Sequence, residues 1–376
     1  MKKLISVFIV LLLLSGCSLF RFNDEGLSFN YEEELKDYKN CFYYNTLNDN
    51  EKKIYSCLFH ASILLENTFE FRFDFDLQES TNALSAFTLD WPEYYWWNYG
   101  FTSEYIHNVA TCTLNHDDFD GIVENFYKLY DKASSILKEV SYDDDYYTIK
   151  MLHNYLIDHT TYNEDIIEYD NASFEFNDNN NTFACLVNGS SVCYGYATSF
   201  RLLSRMLGYD SLVVNSIDDE KHAWNMICID GNWYNVDVTW ADMKDEEGNE
   251  TITSYEYFLA PDKVFGVNHT PKEGYKYPKA NDDSLYYFNM PGFIFEGDNM
   301  GELDYNILNL IRDGYNSFDI KFTNYDDCIS AYDYLFTNNG FENLYSNNIS
   351  IFDSYKYNCG YDENSYLLKF NYSIVD

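Results

Sequence analysis

The sequence predicts an α+β fold, and three observations predict it. Apolar residues recur at helical spacing on one face over 118–140 and again over 193–207. Runs rich in β-branched and aromatic residues, at 212–217, 222–229 and 233–240, read as strands. Between the last two stands Asp230-Gly231, a dipeptide suited to a two-residue hairpin turn because both central positions need positive φ.

The elements follow in order. Lys2 and Lys3 precede an apolar run from Leu4 to Leu14, then Ser15, Gly16 and Cys17. This is a secretory signal pattern, too short to remain as a spanning helix. The run Leu14-Ser15-Gly16-Cys17 resembles a bacterial lipobox, which implies a signal peptide over 1–16, cleavage before Cys17 and lipid on its sulfur. The protein is then expected at the bacterial cell surface, tethered to the bilayer through that lipid. Residues 18 to about 48 are acidic and aromatic and read as a tether. Ile54, Cys57, Leu58, Ala61, Leu64 and Leu65 recur at helical spacing. Asp90-Trp91-Pro92-Glu93 marks a turn, since proline restricts the residue before it. Trp91 to Trp97 reads as core or a sticky surface. Residues 101–114 look like a hairpin.

The clearest helix runs over 118–140, with Ile122, Phe126, Leu129, Ala133, Ile136, Leu137 and Val140 on its inner face. A second follows from Asp144 to Ile157, its start carrying Asp143, Asp144 and Asp145, where carboxylates favour the positive end of the helix dipole. Residues 170–182 read as a loop. The helix from Cys193 to Leu207 buries Tyr196, Phe200, Leu203 and Leu207, and Gly208 suits its stop. Four of the five prolines fall at 261–291, which places a domain boundary there. The remainder reads as a small α+β module with a helix near 325–337. The expected domains are 1–16 signal peptide, 17–117 tether and N-terminal region, 118–270 catalytic domain, 271–290 linker and 291–376 C-terminal module.

Composition narrows the function. The formal net charge of −38 argues against nucleic acid as a partner, because phosphate binding needs clustered Lys and Arg. Such charge aids solubility and attracts basic substrates. Nine cysteines are present. Setting aside Cys17 and Cys193 leaves an odd number, so the rest cannot all pair within the chain. The absence of a CxxC spacing argues against a zinc site. Cys328 with Cys359 is a candidate disulfide, and buried thiols are expected elsewhere.

Cys193 follows a Gly-Ser-Ser loop and opens a helix. The unpaired N–H groups and dipole of a helix start favour a thiolate by only about 0.3–2 kcal/mol. A histidine partner is therefore needed. His222 is the candidate, because it sits just downstream of the cysteine helix at a strand start. His60, His107, His116, His153, His159 and His269 read as structural or solvated. If Asp230-Gly231 is a two-residue turn, Ile229 faces Asn232, Trp224 faces Asp237 and His222 faces Thr239. Asp237 is then diagonal to His222 on the same face, roughly 7–8 Å away along the backbone. A carboxylate there can hold the imidazole by its second nitrogen. A slip of one residue would break this arrangement, and Asp242 is the fallback.

Three motifs carry a resemblance. Ala184-Cys185-Leu186 with Val192-Cys193-Tyr194-Gly195-Tyr196-Ala197, then Lys221-His222-Ala223-Trp224-Asn225, then Gly231 to Trp240, resemble in order the cysteine, histidine and aspartate motifs of the transglutaminase-like superfamily. The likeness is strong over about 145–242. Weaker likeness continues through Tyr257-Phe258-Leu259 and Tyr277-Pro278. It implies a papain-like core with the cysteine helix packed on an antiparallel sheet. It implies acyl transfer through a Cys193–His222–Asp237 triad, with the backbone N–H of Cys193 as one oxyanion donor and Trp224 and Tyr194 beside the substrate. No metal or cofactor is required by this chemistry. The implied partner is a protein, peptide or cell-wall peptide. The site would serve either a hydrolase or a crosslinking enzyme, and a binding or adhesion module on the same fold is the alternative. Cys185 departs from the family pattern and raises a disulfide with Cys193, which would block catalysis.

Overall fold

The computed structural model describes residues 40–107, 109–163, 178–216, 222–242, 254–289, 294–295, 299–312, 317–347, 355–362 and 366–374. The signal segment, Cys17, Lys221, Pro291 and most of the expected tether lie outside the described residues. So does much of the expected 170–182 loop. Contacts divide the chain into two compact units between Lys132 and Ala133.

The first unit holds helices α1 (Asp49–Ile63) and α2 (Leu77–Asp90) and a three-stranded antiparallel sheet, β1 (Thr68–Phe71), β2 (Phe101–Ile106) and β3 (Val109–Leu114), in the order β1-β3-β2. Both helices start on reciprocal caps, Asn48 with Glu51 and Asp76 with Glu79, which satisfy amides that a helix start leaves unpaired. Residues 40–48, expected in the tether, fold onto this unit. Tyr43 and Tyr44 are buried, and their amides donate to the carboxylate of Asp90 at 3.3 and 3.0 Å. The Trp91–Trp97 cluster is core: Trp96 and Trp97 are completely buried. A side chain of that size contributes about 1.5–3 kcal/mol when buried.

Helix α3 (Phe119–Val140) spans the division. In the second unit, α4 (Asp145–His159) starts on the side chain of Asp144. Two short parallel strands, β4 (Thr161–Tyr162) and β5 (Ser190–Ser191), lead to α5 (Cys193–Leu207), whose bounds match the sequence reading. Helix α5 packs on the antiparallel sheet β6 (Asp210–Asn215), β7 (Ala223–Ile229) and β8 (Asn232–Val236), in the order β6-β7-β8. Ile229 pairs with Asn232 and the register runs unbroken to Asn225 with Val236, as the Asp-Gly turn requires. Asp230 and Gly231 take φ of 51° and 84°.

Two short helices, α6 (Val238–Ala241) and α7 (Asp262–Phe265), follow. The strand expected over 233–240 thus ends at Val236, and Thr239 does not face His222 across a ladder. Residues 271–289 are not a free linker. Ala280, Tyr287 and Phe288 are buried, and Tyr287 stacks on Tyr255 with ring centroids 4.3 Å apart. The C-terminal part holds β9 (Ile294–Phe295), α8 (Met300–Arg312), β10 (Ser317–Phe322), α9 (Tyr325–Tyr332), α10 (Gly340–Asn347), β11 (Tyr355–Asp362) and β12 (Leu367–Ile374), with sheet order β11-β12-β10-β9. Asp319 on β10 is completely buried, and burial pushes its carboxyl up to about 6. It accepts the amide of Tyr255 at 3.0 Å. Cys328 is buried, and the side chain of Cys359 lies outside the described residues, as does their expected pairing.

Candidate active site

The cysteine helix starts where it does because Val192 is extended, with φ −118° and ψ −176°, and Cys193 is the first helical residue. The loop before it is held on both sides. Thr161 donates to the carbonyl of Gly189 at 2.8 Å, and Asn163 to that of Ser191 at 3.0 Å. Gly195 lets this loop close on the helix. A Cβ there would lie 1.9 Å from Ser191 Oγ and 2.7 Å from Ser191 Cβ, so a side chain cannot enter. The amide of Gly195 also donates to Asn180 Oδ1 at 3.2 Å. Cys193 itself is 3% exposed.

His222 stands just before β7. Its amide donates to Ser216 Oγ and its carbonyl accepts from the Ser216 amide, both at 2.8 Å, so its backbone is tied to the end of β6. Asp237 follows the last residue of β8. Its amide donates to the Tyr257 carbonyl at 3.0 Å, and Oδ1 accepts from the Trp240 amide at 3.0 Å, capping α6. That cap explains why the strand stops: the side chain turns the backbone into a helix. Oδ2 is left facing the imidazole, and His222 Nε2 lies 2.5 Å from it. The imidazole also shares a side-chain hydrogen bond with Cys193. With Nε2 committed to Asp237, Nδ1 is the nitrogen left for the sulfur.

The electrostatics follow from this geometry. Burial opposes a charged His222, but the Asp237 carboxylate and its hydrogen bond overcome that and push the ring up to about 10. Asp237 is completely buried, which alone would raise its carboxyl. The charge of His222 and the hydrogen bonds from His222 and His269 instead hold it well below the usual carboxylate range.

His269 is the residue that the sequence reading set aside. It lies in the loop after α7, is 4% exposed, and places Nε2 2.9 Å from the same Asp237 Oδ2. Nothing in the spacing points to it, because 32 residues separate it from Asp237. Trp224 was expected to line the substrate. It is buried and packs against His222 and His269, at 6.0 and 5.1 Å between centroids. Trp240 is half-buried and stacks on His222 at 5.3 Å, and Tyr194 is half-buried beside Cys193 in sequence. Asp242, the fallback carboxylate, is engaged elsewhere and accepts from the Tyr196 hydroxyl at 2.5 Å. Cys185 carries a free thiol rather than a bond to Cys193. Its sulfur lies 3.4 Å from Thr160 Oγ1, and burial pushes it up to about 11, so it is unreactive.

His222, Asp237 and His269 offer three ligand-type atoms within 4.8 Å of one another, the one such group among the described residues. Ligands held at about 2.0–2.2 Å by a tetrahedral zinc ion stand about 3.3 Å apart. Separations of 2.5 and 2.9 Å are those of hydrogen bonds, so the trio reads as a proton-sharing chain.

Comparison with known proteins agrees with the motif reading. Residues 134–238 match the family model of the Transglutaminase-like superfamily. Among solved structures, a TGase is similar at 18% identity and a TM-score of 0.30, covering 57% of this chain and 61% of that one. A candidate cysteine protease from Cytophaga hutchinsonii is similar at 18% identity and a TM-score of 0.24, covering 35% of this chain and 51% of that one. The chain thus spans about three fifths of the first and half of the second. Comparison with curated proteins gives no match. Over residues 134–238, then, the chain is similar to the transglutaminase-like superfamily.

Proposed function

We propose that the chain is a thiol enzyme that transfers or hydrolyses acyl groups at amide bonds of peptides, proteins or cell-wall peptides. The observation that carries this reading is the continuous hydrogen-bonded run from Cys193 through His222 to the fully buried Asp237. The Cys193 sulfur, its proton passed to His222, attacks the amide carbonyl. The C–N bond breaks as His222 gives its proton to the leaving amine, and an acyl-thioester remains. Water or a second amine then attacks the thioester, its proton passes to His222, and the sulfur leaves as thiolate. Asp237 holds the ring in one tautomer and offsets its charge through both proton transfers.

The N-terminal segment supports placing the enzyme outside a bacterial membrane on a lipid attached to Cys17. Among the described residues no helix is long and apolar enough to cross a membrane. A net charge of −38 suits basic protein substrates.

Incubation with casein and a labelled primary amine tests the reading. Incorporated label marks a crosslinking enzyme and casein fragments mark a hydrolase, and Cys193→Ala should abolish either. Should Cys193→Ala and His222→Ala match the wild type, and Cys193 alkylate no faster than the other thiols, the binding module takes the enzyme's place.

A further inference from the structure

We infer that His269 is a fourth member of the site, a positioning residue that holds Asp237 ionised and aimed at His222. The inference rests on the thiol-enzyme reading and extends it. Asp237 is completely buried, and each of its oxygens is accounted for. Oδ1 accepts the Trp240 amide, and Oδ2 is shared between His222 Nε2 at 2.5 Å and His269 Nε2 at 2.9 Å. A buried carboxylate needs donors in proportion to its burial, since desolvation favours its neutral form. His222 cannot serve as the constant donor, because it exchanges protons with the sulfur and the leaving group in each cycle. His269 has no such duty.

The surroundings of His269 fit a fixed donor. Its ring is boxed by Phe265, Trp240, Tyr257 and Trp224, with centroids 3.9, 4.3, 5.0 and 5.1 Å away. Its Nδ1 has no hydrogen-bond partner and is sealed from solvent. Nε2 is therefore the nitrogen of this ring that meets a partner, and it is aimed at Asp237. Orphaning Nδ1 has a cost, and the Nε2 contact to Asp237 is the ring's one hydrogen bond among the described residues. The titratable groups around the pair are His222 ahead of β7, Cys193 on α5, Tyr257 in the segment before α7 and His153 on α4, whose field also reaches Asp237. His153 is itself kept neutral by burial, lowered to about 4, so it supplies no positive charge beside Asp237.

The test follows the rate at which iodoacetamide alkylates Cys193 in the full chain, read by peptide mass spectrometry from pH 4 to 9. His222→Ala is the control for the reading itself and should slow alkylation at neutral pH. His269→Phe keeps an aromatic ring in the box and removes the donor. Its acid limb should move up by about one pH unit, because a carboxylate with one donor fewer protonates earlier. His269→Gln, which returns an N–H near the position of Nε2, should bring the limb back. If His222→Ala changes nothing, the thiol-enzyme reading itself fails. If His222→Ala slows alkylation while the acid limb of His269→Phe stays at the wild-type pH, the role of His269 is overturned alone. A uniform loss of rate in His269→Phe with no movement of the limb, unrelieved by His269→Gln, would mark packing only and also overturns it.

Discussion

Asp237→Asn removes one charge from the centre of the site and changes almost no volume, so its effects can be worked from the geometry. The asparagine has one acceptor where the carboxylate has two. If its oxygen stays on the Trp240 amide, its NH2 group faces His222 Nε2 and His269 Nε2, both of which donate in the wild type. His222 must then move its proton to Nδ1, the nitrogen that faces Cys193. If the amide flips, NH2 meets the Trp240 N–H and α6 loses its cap. Either way the ring no longer has an anion behind it. In the wild type that anion, against burial, raises His222 from 6.5 to about 10. At about 1.4 kcal/mol for each pKa unit, this is worth about 5 kcal/mol of preference for the imidazolium. Without the anion, burial dominates and the ring is neutral at pH 6.5. The ceiling on the loss is about three thousandfold. Relaxation and water entry will absorb part of it, leaving a fall of about a hundredfold or more in the rate of Cys193 alkylation at pH 6.5. In the variant the rate should climb with pH as it does for an unassisted thiol. Circular dichroism of the variant separates this from unfolding. A folded Asp237→Asn protein that keeps the wild-type rate across pH 5–8 would refute the argument that the carboxylate sustains the pair.

Two further outcomes follow from other features of the same region. Gly195→Ala drives a methyl group into Ser191 and should cost about 1–3 kcal/mol in urea unfolding, with Ser191→Gly on top of it restoring most of the loss. The His222–Asp237 pair should also shape stability against pH. The raised histidine contributes fully below about pH 6.5, and its contribution is lost as the pH rises towards 10. The depressed carboxyl contributes above about pH 4, and its contribution is lost in acid. Thermal midpoints should therefore fall on both sides of pH 4–6.5, and Asp237→Asn should flatten the curve.

The hairpin was legible because an Asp-Gly turn admits one register, and five pairs from Ile229–Asn232 to Asn225–Val236 keep it. The same logic failed one residue later. Val238, Thr239 and Trp240 have strand-like side chains, yet Asp237 before them is a helix cap, and local capping outweighed propensity. Helix α2 carried a readable signal in the Asp76–Glu79 capping box, which the aromatic and acidic character of its surroundings obscured. The prolines of 261–291 suggested a linker because their spacing hides what Ala280 and Tyr287 bury. His269 had no local signature at all. Its partner is reached only once the segment after β8 folds back and lays α7 against that strand.

The bond from Asp319 to the Tyr255 amide has a consequence for how the chain can be divided. Tyr255 lies two positions before Tyr257, whose carbonyl receives the Asp237 amide. Severing the polypeptide after residue 290 would strip that segment of its anchor, bare the Tyr255–Tyr287 stack to solvent and loosen the floor under the triad. The last stretch of sequence, which carries none of the three motifs, therefore braces the segment under Asp237, and a fragment made without it should be sticky and should lose the fast alkylation expected of Cys193.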